Sequence, residues 1–210
     1  MIKNIVLDIG GVIFDDSDFN LSKLLNKDLE EIKKIAKVAY GGNFKKCLLG
    51  QMTVEQHILE LQNIEVKNYN IIKYILSYEN LKYSFPLMTS TIEVIRELRK
   101  RNYKIYLLSN ITEASYKYIC ESIDMEKLFD GGLFSYEEHM VKPNKEIYEK
   151  LINKYNLIKE ETIFFDDKEK NVIAANEIGI KSIQFKNVKD IYDNLDIDKV
   201  KNNERRKKFS

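Results

Sequence analysis

Cysteine is almost missing from this 210-residue chain. Cys47 and Cys120 lie far apart and outside any C-x-x-C spacing, which argues against a disulfide framework or a zinc cluster and fits a reducing compartment. Excess charge of either sign is missing too. With 34 Lys and Arg against 33 Asp and Glu, the formal net charge of +1 favours neither a nucleic-acid scaffold nor a binder of acidic polymers. The N-terminal apolar stretch is too short to span a bilayer and lacks the flanks and cleavage site of a signal peptide, so the expectation is a cytoplasmic protein without membrane or nucleic-acid partners. No internal repeat is visible. The closing segment "KNNERRKKFS" is basic, and residues 199–210 are expected to form a solvated tail.

What is present is a set of short apolar runs. Asn4 to Ile9, Lys104 to Leu108, Thr162 to Phe165 and Lys181 to Phe185 read as buried parallel strands. Amphipathic helices fall between the later ones: Thr91 to Arg101 sets Ile92, Ile95 and Leu98 on one face, and Asn144 to Tyr155 does the same with Ile147, Leu151 and Tyr155. The pattern predicts an α/β fold, a Rossmann-like parallel sheet with helices on both faces. The first two strands are separated by far more chain than one crossover helix needs. Residues 16–84, rich in Lys, Glu, Asn and Leu with helical periodicity, are therefore expected to form an inserted α-helical cap. Tyr83-Ser84-Phe85-Pro86 would be its return hinge, and residues 1–15 and 85–198 the core.

Three of the strands stop at polar residues: Asp8, Ser109-Asn110 and Asp166-Asp167. Ligands of open parallel sheets bind outside the carboxyl ends of the strands, so these groups should converge on one crevice. Each has an ordinary reading of its own. Asp8 could be a turn residue ahead of Gly10-Gly11, the other two pairs could be helix N-caps, and Lys142 could be a solvated lysine before a helix. His57 reads as a packing residue of the cap and His139 as a solvated loop residue.

The order and spacing of these elements resemble the haloacid dehalogenase-like hydrolase superfamily over nearly the whole chain. Asp8 with Gly10-Gly11-Val12 matches the first motif, "LLSN" the second, "VKPNKEIY" the third and "FFDDKEKNVIAANEIGI" the fourth; the insertion is similar to the subgroup with a helical cap after the first motif. The resemblance implies a Mg²⁺-dependent phosphatase in which Asp8 attacks the phosphoryl group and forms an aspartyl-phosphate. It also implies Asp8, the Gly10 carbonyl and Asp167 as oxygen ligands of Mg²⁺, with Asp166 a weaker candidate. Ser109 and Asn110 would donate hydrogen bonds to the phosphoryl oxygens, Gly11 would let the backbone approach them, and Lys142 would offset their charge. The implied substrate is a small phosphorylated metabolite such as a sugar phosphate, and the chain a monomer or homodimer.

One position departs from the pattern. Phosphatases of this superfamily usually carry a general-acid Asp two residues after the nucleophile, and here that position is Gly10. Three readings stay open: a phosphatase acting on good leaving groups or borrowing an acid (His57, His139 or a cap carboxylate), a haloacid dehalogenase, or a phospho-ligand binding module with little turnover. On this reading rates should depend steeply on leaving-group pKa, and Gly10→Asp should speed alkyl phosphates if the backbone tolerates a side chain.

Overall fold

The computed structural model describes residues 1–195; the expected basic tail and the last three residues of the expected core lie outside them. Five strands, β1 (Asn4–Leu7), β2 (Lys104–Ser109), β3 (Gly131–Phe134), β4 (Thr162–Asp166) and β5 (Lys181–Gln184), form one sheet in the order β3-β2-β1-β4-β5. Every pair is parallel, with Ile5 of β1 opposite Ile105 of β2 and Ile163 of β4. The sheet therefore winds outward both ways from β1, which puts the carboxyl ends of β1, β2 and β4 side by side.

Alternation along the strands divides the core between two faces. Ile5, Leu7, Ile105, Leu107, Ile163 and Phe165 point to one, and Val6, Tyr106, Leu108 and Phe164 to the other. Residues 18–84 supply the helices α1 (Asp18–Leu25), α2 (Leu29–Ala39), α3 (Phe44–Leu48), α4 (Val54–Asn63), α5 (Tyr69–Leu76) and α6 (Leu81–Ser84). Then come α7 (Thr89–Lys100), α8 (Glu113–Ser122), α9 (Met125–Leu128), α10 (Ser135–Glu138), α11 (Lys145–Lys154), α12 (Glu169–Glu177) and α13 (Lys189–Asn194). Ile95 and Leu98 of α7, Ile119 of α8 and Ile191 of α13 cover the first face; Ile147 and Leu151 of α11 and Ala175 of α12 cover the second. Helices thus lie on both faces, as the alternating pattern predicts.

The sequence pattern misses β3. Its four residues are Gly-Gly-Leu-Phe, too short an apolar run to register, and it is anchored from outside by Tyr155, whose hydroxyl accepts from the Gly132 amide at 2.9 Å. β1 also stops two residues sooner than expected. Asp8 is the last residue whose amide reaches β4, bonding the Phe165 carbonyl at 2.9 Å, and the chain then turns.

Helices α1 to α5 share an apolar cluster of their own, built on Leu21, Ile32, Ile35, Leu61, Ile72 and Ile75. Thr53 starts α4 with a capping box, reciprocal bonds with Gln56 that satisfy two otherwise orphaned groups. Two stretches of chain connect this bundle to the sheet, and they run together as a neck. The Asp15 amide bonds the Pro86 carbonyl at 2.9 Å, the Met88 amide bonds that of Ile13 at 2.8 Å, and Phe14 stacks on Phe85 with centroids 5.0 Å apart. At the rim Tyr78 of the bundle donates to Glu121 of α8 at 2.6 Å.

Candidate active site

The loop after β1 is wound tightly. The Ile9 carbonyl accepts from the amides of Ile13 and Phe14 at 2.8 and 2.9 Å, while the Gly11 amide bonds back to the Phe14 carbonyl at 2.8 Å. Gly10's carbonyl takes none of these turn bonds and stays available. Gly11 is required for two reasons. Its φ of +69° lies in the left-handed region, and a Cβ there would fall 2.7 Å from Cγ of Asp167.

Asp8 is buried at the mouth of β1 and held on both oxygens. Its Oδ1 accepts from the Ile9 amide at 2.7 Å and from Ser109 Oγ at 2.8 Å; its Oδ2 faces Lys142 Nζ at 2.9 Å. Lys142 is fully buried as well: beyond its ion pair with Asp8 it donates to Asp166 Oδ2 at 2.6 Å and to the Leu108 carbonyl at 2.7 Å. Asn110 fixes the lysine's backbone, accepting from the Lys142 amide at 2.8 Å and donating to its carbonyl at 2.9 Å. The Ser109 and Asn110 side chains expected to meet a phosphoryl group are thus engaged in orienting Asp8 and Lys142.

Asp166 is saturated. Besides Lys142 it accepts from the Lys168 amide at 2.8 Å and from Asn171 Nδ2 on both oxygens, so it reads as the anchor of the lysine. Asp167 is the reverse case: its Oδ1 is buried with no hydrogen-bond partner among the described residues. A buried carboxylate oxygen left unpaired is costly, and a cation satisfies it. Oxygens of Asp8, Asp166 and Asp167 lie within 4.8 Å of one another, so the donor set, all hard oxygens, fits Mg²⁺. The protonation energetics agree. Burial pushes the Asp8 carboxyl up to about 6, with Lys142 pulling it down and Asp166 pushing it up. Burial also raises Asp167. For Asp166 burial works the same way, but Lys142, the Lys168 amide and Asn171 together outweigh it and hold the group below its ordinary value. Lys142→Ala should therefore strand two buried anions. We expect a loss of about 3–5 kcal/mol of unfolding free energy in denaturant titrations, together with weakened binding of phosphate analogues.

Two residues of the site escape sequence reasoning. Asp16 closes the loop that starts at Asp8, and a Cβ on Gly10 would fall 2.6 Å from its Oδ2. The Asp16 carboxylate thus occupies the room that a side chain at position 10 would enter. Burial raises its pKa, with Lys168 pulling it down and Asp8 pushing it up. Lys168 Nζ stands 3.8 Å from Asp16 Oδ2. Burial alone would lower this lysine, but the carboxylates of Asp16, Asp8, Asp167 and Asp166 hold it above its ordinary value. The one available signal was the acidic pair Asp15-Asp16 ending the first apolar run, and it reads equally well as the start of the inserted helices.

Neither histidine lines the crevice. His57 is buried inside the helical bundle with Nε2 3.0 Å from the Ala39 carbonyl. His139 ends α10 in a left-handed conformation with Nδ1 2.8 Å from the Leu49 carbonyl, joining the two parts of the molecule. The crevice is a cavity of about 460 Å³ between the sheet's carboxyl edge and the bundle.

A buried carboxylate at the end of the central strand, the Ser109 hydroxyl bonded to it, a lysine shared with a second acid and a third acid beside Gly11 bring the four sequence motifs together. A family model described as haloacid dehalogenase-like hydrolase matches residues 2–179. The chain belongs to this family. It is a hydrolase, and its relatives point to phosphatase chemistry. D-ribitol-5-phosphate phosphatase of Bacteroides thetaiotaomicron is 27% identical over 200 residues, covering 89% of this chain and 93% of that protein. The sesquiterpene phosphatase astK of Aspergillus oryzae is 37% identical over 87 residues, but the match spans only 41% of this chain and 44% of the fungal enzyme. A HAD family enzyme from B. thetaiotaomicron, solved with magnesium and inorganic phosphate, superimposes with a TM-score of 0.67 at 25% identity, covering 89% of this chain and 95% of that one. A dehalogenase at 14% identity shares the fold with a TM-score of 0.66. Among the described residues no helix is long and apolar enough to cross a membrane.

Proposed function

We propose that this hydrolase is a Mg²⁺-dependent phosphatase that cleaves a small phosphorylated metabolite through an aspartyl-phosphate on Asp8. The core would comprise residues 1–15 and 85–198, and residues 16–84 the cap. The observation that carries the reading is the buried Asp8, held by Ser109 and Lys142 beside the unpaired Oδ1 of Asp167. Asp8, the Gly10 carbonyl and Asp167 would hold the ion, which when bound supplies positive charge against the phosphoryl oxygens and the incoming carboxylate. Dehalogenation needs no Mg²⁺, so the acidic pair Asp166-Asp167, with its unpaired oxygen, weighs against a dehalogenase reading.

The chain's own groups account for the rest. An oxygen of Asp8, kept in place by Ser109 and the Ile9 amide, attacks phosphorus in line, and the bond from phosphorus to the ester oxygen breaks. Lys142 keeps Asp8 ionised in a buried setting and offsets the charge of the phosphoryl oxygens. Asp16 gives its proton to the departing oxygen, the task that Gly10 has no side chain to perform, and the product alcohol leaves. Water then attacks phosphorus with Asp16 taking its proton, which releases inorganic phosphate and restores Asp8.

The deciding experiment is a panel of phosphomonoesters assayed with Mg²⁺ and with excess EDTA. Turnover should vanish in chelator and return with added Mg²⁺; full turnover in EDTA would refute the reading.

A further inference from the structure

The two walls of the crevice differ in chemistry. Every charged side chain that lines it, Asp8, Asp16, Lys142, Lys168 and Lys170, lies outside the helical segment 18–84. The opposite wall is formed by Phe44, Leu48, Val54, Ile75, Leu76 and Leu81. Only two polar side chains accompany them, Tyr40 and Ser84. The Ser84 hydroxyl is already committed to the carbonyls of Ile75 at 3.0 Å and Asn80 at 3.3 Å. On the floor below, Thr112 is occupied in capping α8, its Oγ accepting from the Ser115 amide at 3.2 Å.

We propose that this wall is a subsite for an apolar leaving group. Resting on the phosphatase reading above, the inference makes the substrate the phosphate monoester of an aliphatic or aromatic alcohol and not of a polyol. A polyol turned toward this wall would leave its hydroxyls unpaired where water has been displaced, whereas methylene or ring carbons gain by the same burial. Asp8, Lys142, Asp16 and Lys168 gather where the phosphoryl group must sit, so the ester oxygen marks the boundary between polar and apolar halves. The crevice, about 460 Å³, has room for a leaving group of several carbons beside the phosphoryl group.

The test uses the full chain with Mg²⁺ and two matched series from ethyl to octyl. Calorimetric binding of n-alkylphosphonates reads the subsite without turnover, and kcat/KM for the n-alkyl phosphates reads it during reaction. Leaving-group pKa barely changes along such a series, so chain length is the variable. Affinity and kcat/KM should each rise two- to fourfold per added methylene, and octyl phosphate should outpace ribitol 5-phosphate. In Leu48→Gln the ratio of octyl to ethyl should shrink toward one. A flat or falling series in the unaltered protein, or ribitol 5-phosphate as the better substrate, would overturn the inference while leaving a phosphatase in place. Rising affinity for the phosphonates without turnover of any ester, acetyl phosphate included, would uphold the apolar subsite and refute the phosphatase reading instead.

Discussion

Asp8→Asn should abolish turnover while the protein stays folded. The substitution keeps the shape of the side chain at a position whose oxygens meet the Ile9 amide, Ser109 and Lys142, so the packing around it survives. What is lost is the anionic oxygen that forms the bond to phosphorus, and no neighbour can replace it. Asp166 is saturated by Lys142, Lys168 and Asn171, and Asp167 faces Gly11. Removing a covalent nucleophile costs on the order of 10⁴–10⁶-fold in kcat. Steady-state rates on acetyl phosphate, with circular dichroism to verify the fold, provide the check. An Asp8→Asn protein working at the wild-type rate would mean that the proposed chemistry is wrong.

Asp16→Asn should cost about 10²–10⁴-fold in kcat on alkyl phosphates, the range for a positioned acid. It should cost far less on acyl or aryl phosphates, whose leaving groups depart without a proton. The sequence alone suggests that leaving-group pKa matters steeply in the native protein because Gly10 brings no acid. With Asp16 in that room, the steep dependence should instead appear only in the Asp16→Asn variant. The same geometry reverses the expectation for Gly10→Asp. Gly10 does not have the positive φ that penalises a side chain, yet its Cβ would collide with Asp16, so this change alone should slow the enzyme. Combined with Asp16→Ala, which empties the space, Gly10→Asp should recover part of the alkyl-phosphate rate lost in Asp16→Ala. If plots of log rate against leaving-group pKa keep one slope with and without Asp16, the assignment fails.

The parts of this molecule that are legible in the sequence are those where local composition and tertiary role coincide. β1, β2 and β4 are apolar runs because both faces of the sheet are covered, and each ends in acids or hydroxyls because that edge is the polar one. Lys142 could be named as a site residue, but not the manner of its use: that its ammonium meets Asp8, Asp166 and the Leu108 carbonyl is a property of three other segments converging on it. β3 stays hidden because two of its four residues are glycine and Tyr155, which braces it, lies outside the strand. Asp16 stays hidden for a different reason. It reaches the space beside Gly10 only because Gly11, Ile13 and Phe14 fold the loop back on Ile9, and no periodicity announces such a reversal. The histidines show the converse. Their type invites a catalytic role, while their neighbours assign one to packing and the other to a contact between the two parts of the molecule.

The neck has a consequence for timing. Asp16 follows directly on Asp15, whose amide is bonded to Pro86, so the proposed acid is attached to the connector and not to the sheet. Asp8 and Lys142, by contrast, belong to the rigid carboxyl edge. Any swing of the helical segment about its paired connectors would move Asp16 relative to Asp8, making acid position and lid angle a single mechanical coordinate. In such a swing the nucleophile would stay in place while the acid moved. A bound ester that fails to let the lid close would meet half a catalyst, and selection among substrates would then be exercised by the clockwork of closing as much as by the fit of the crevice.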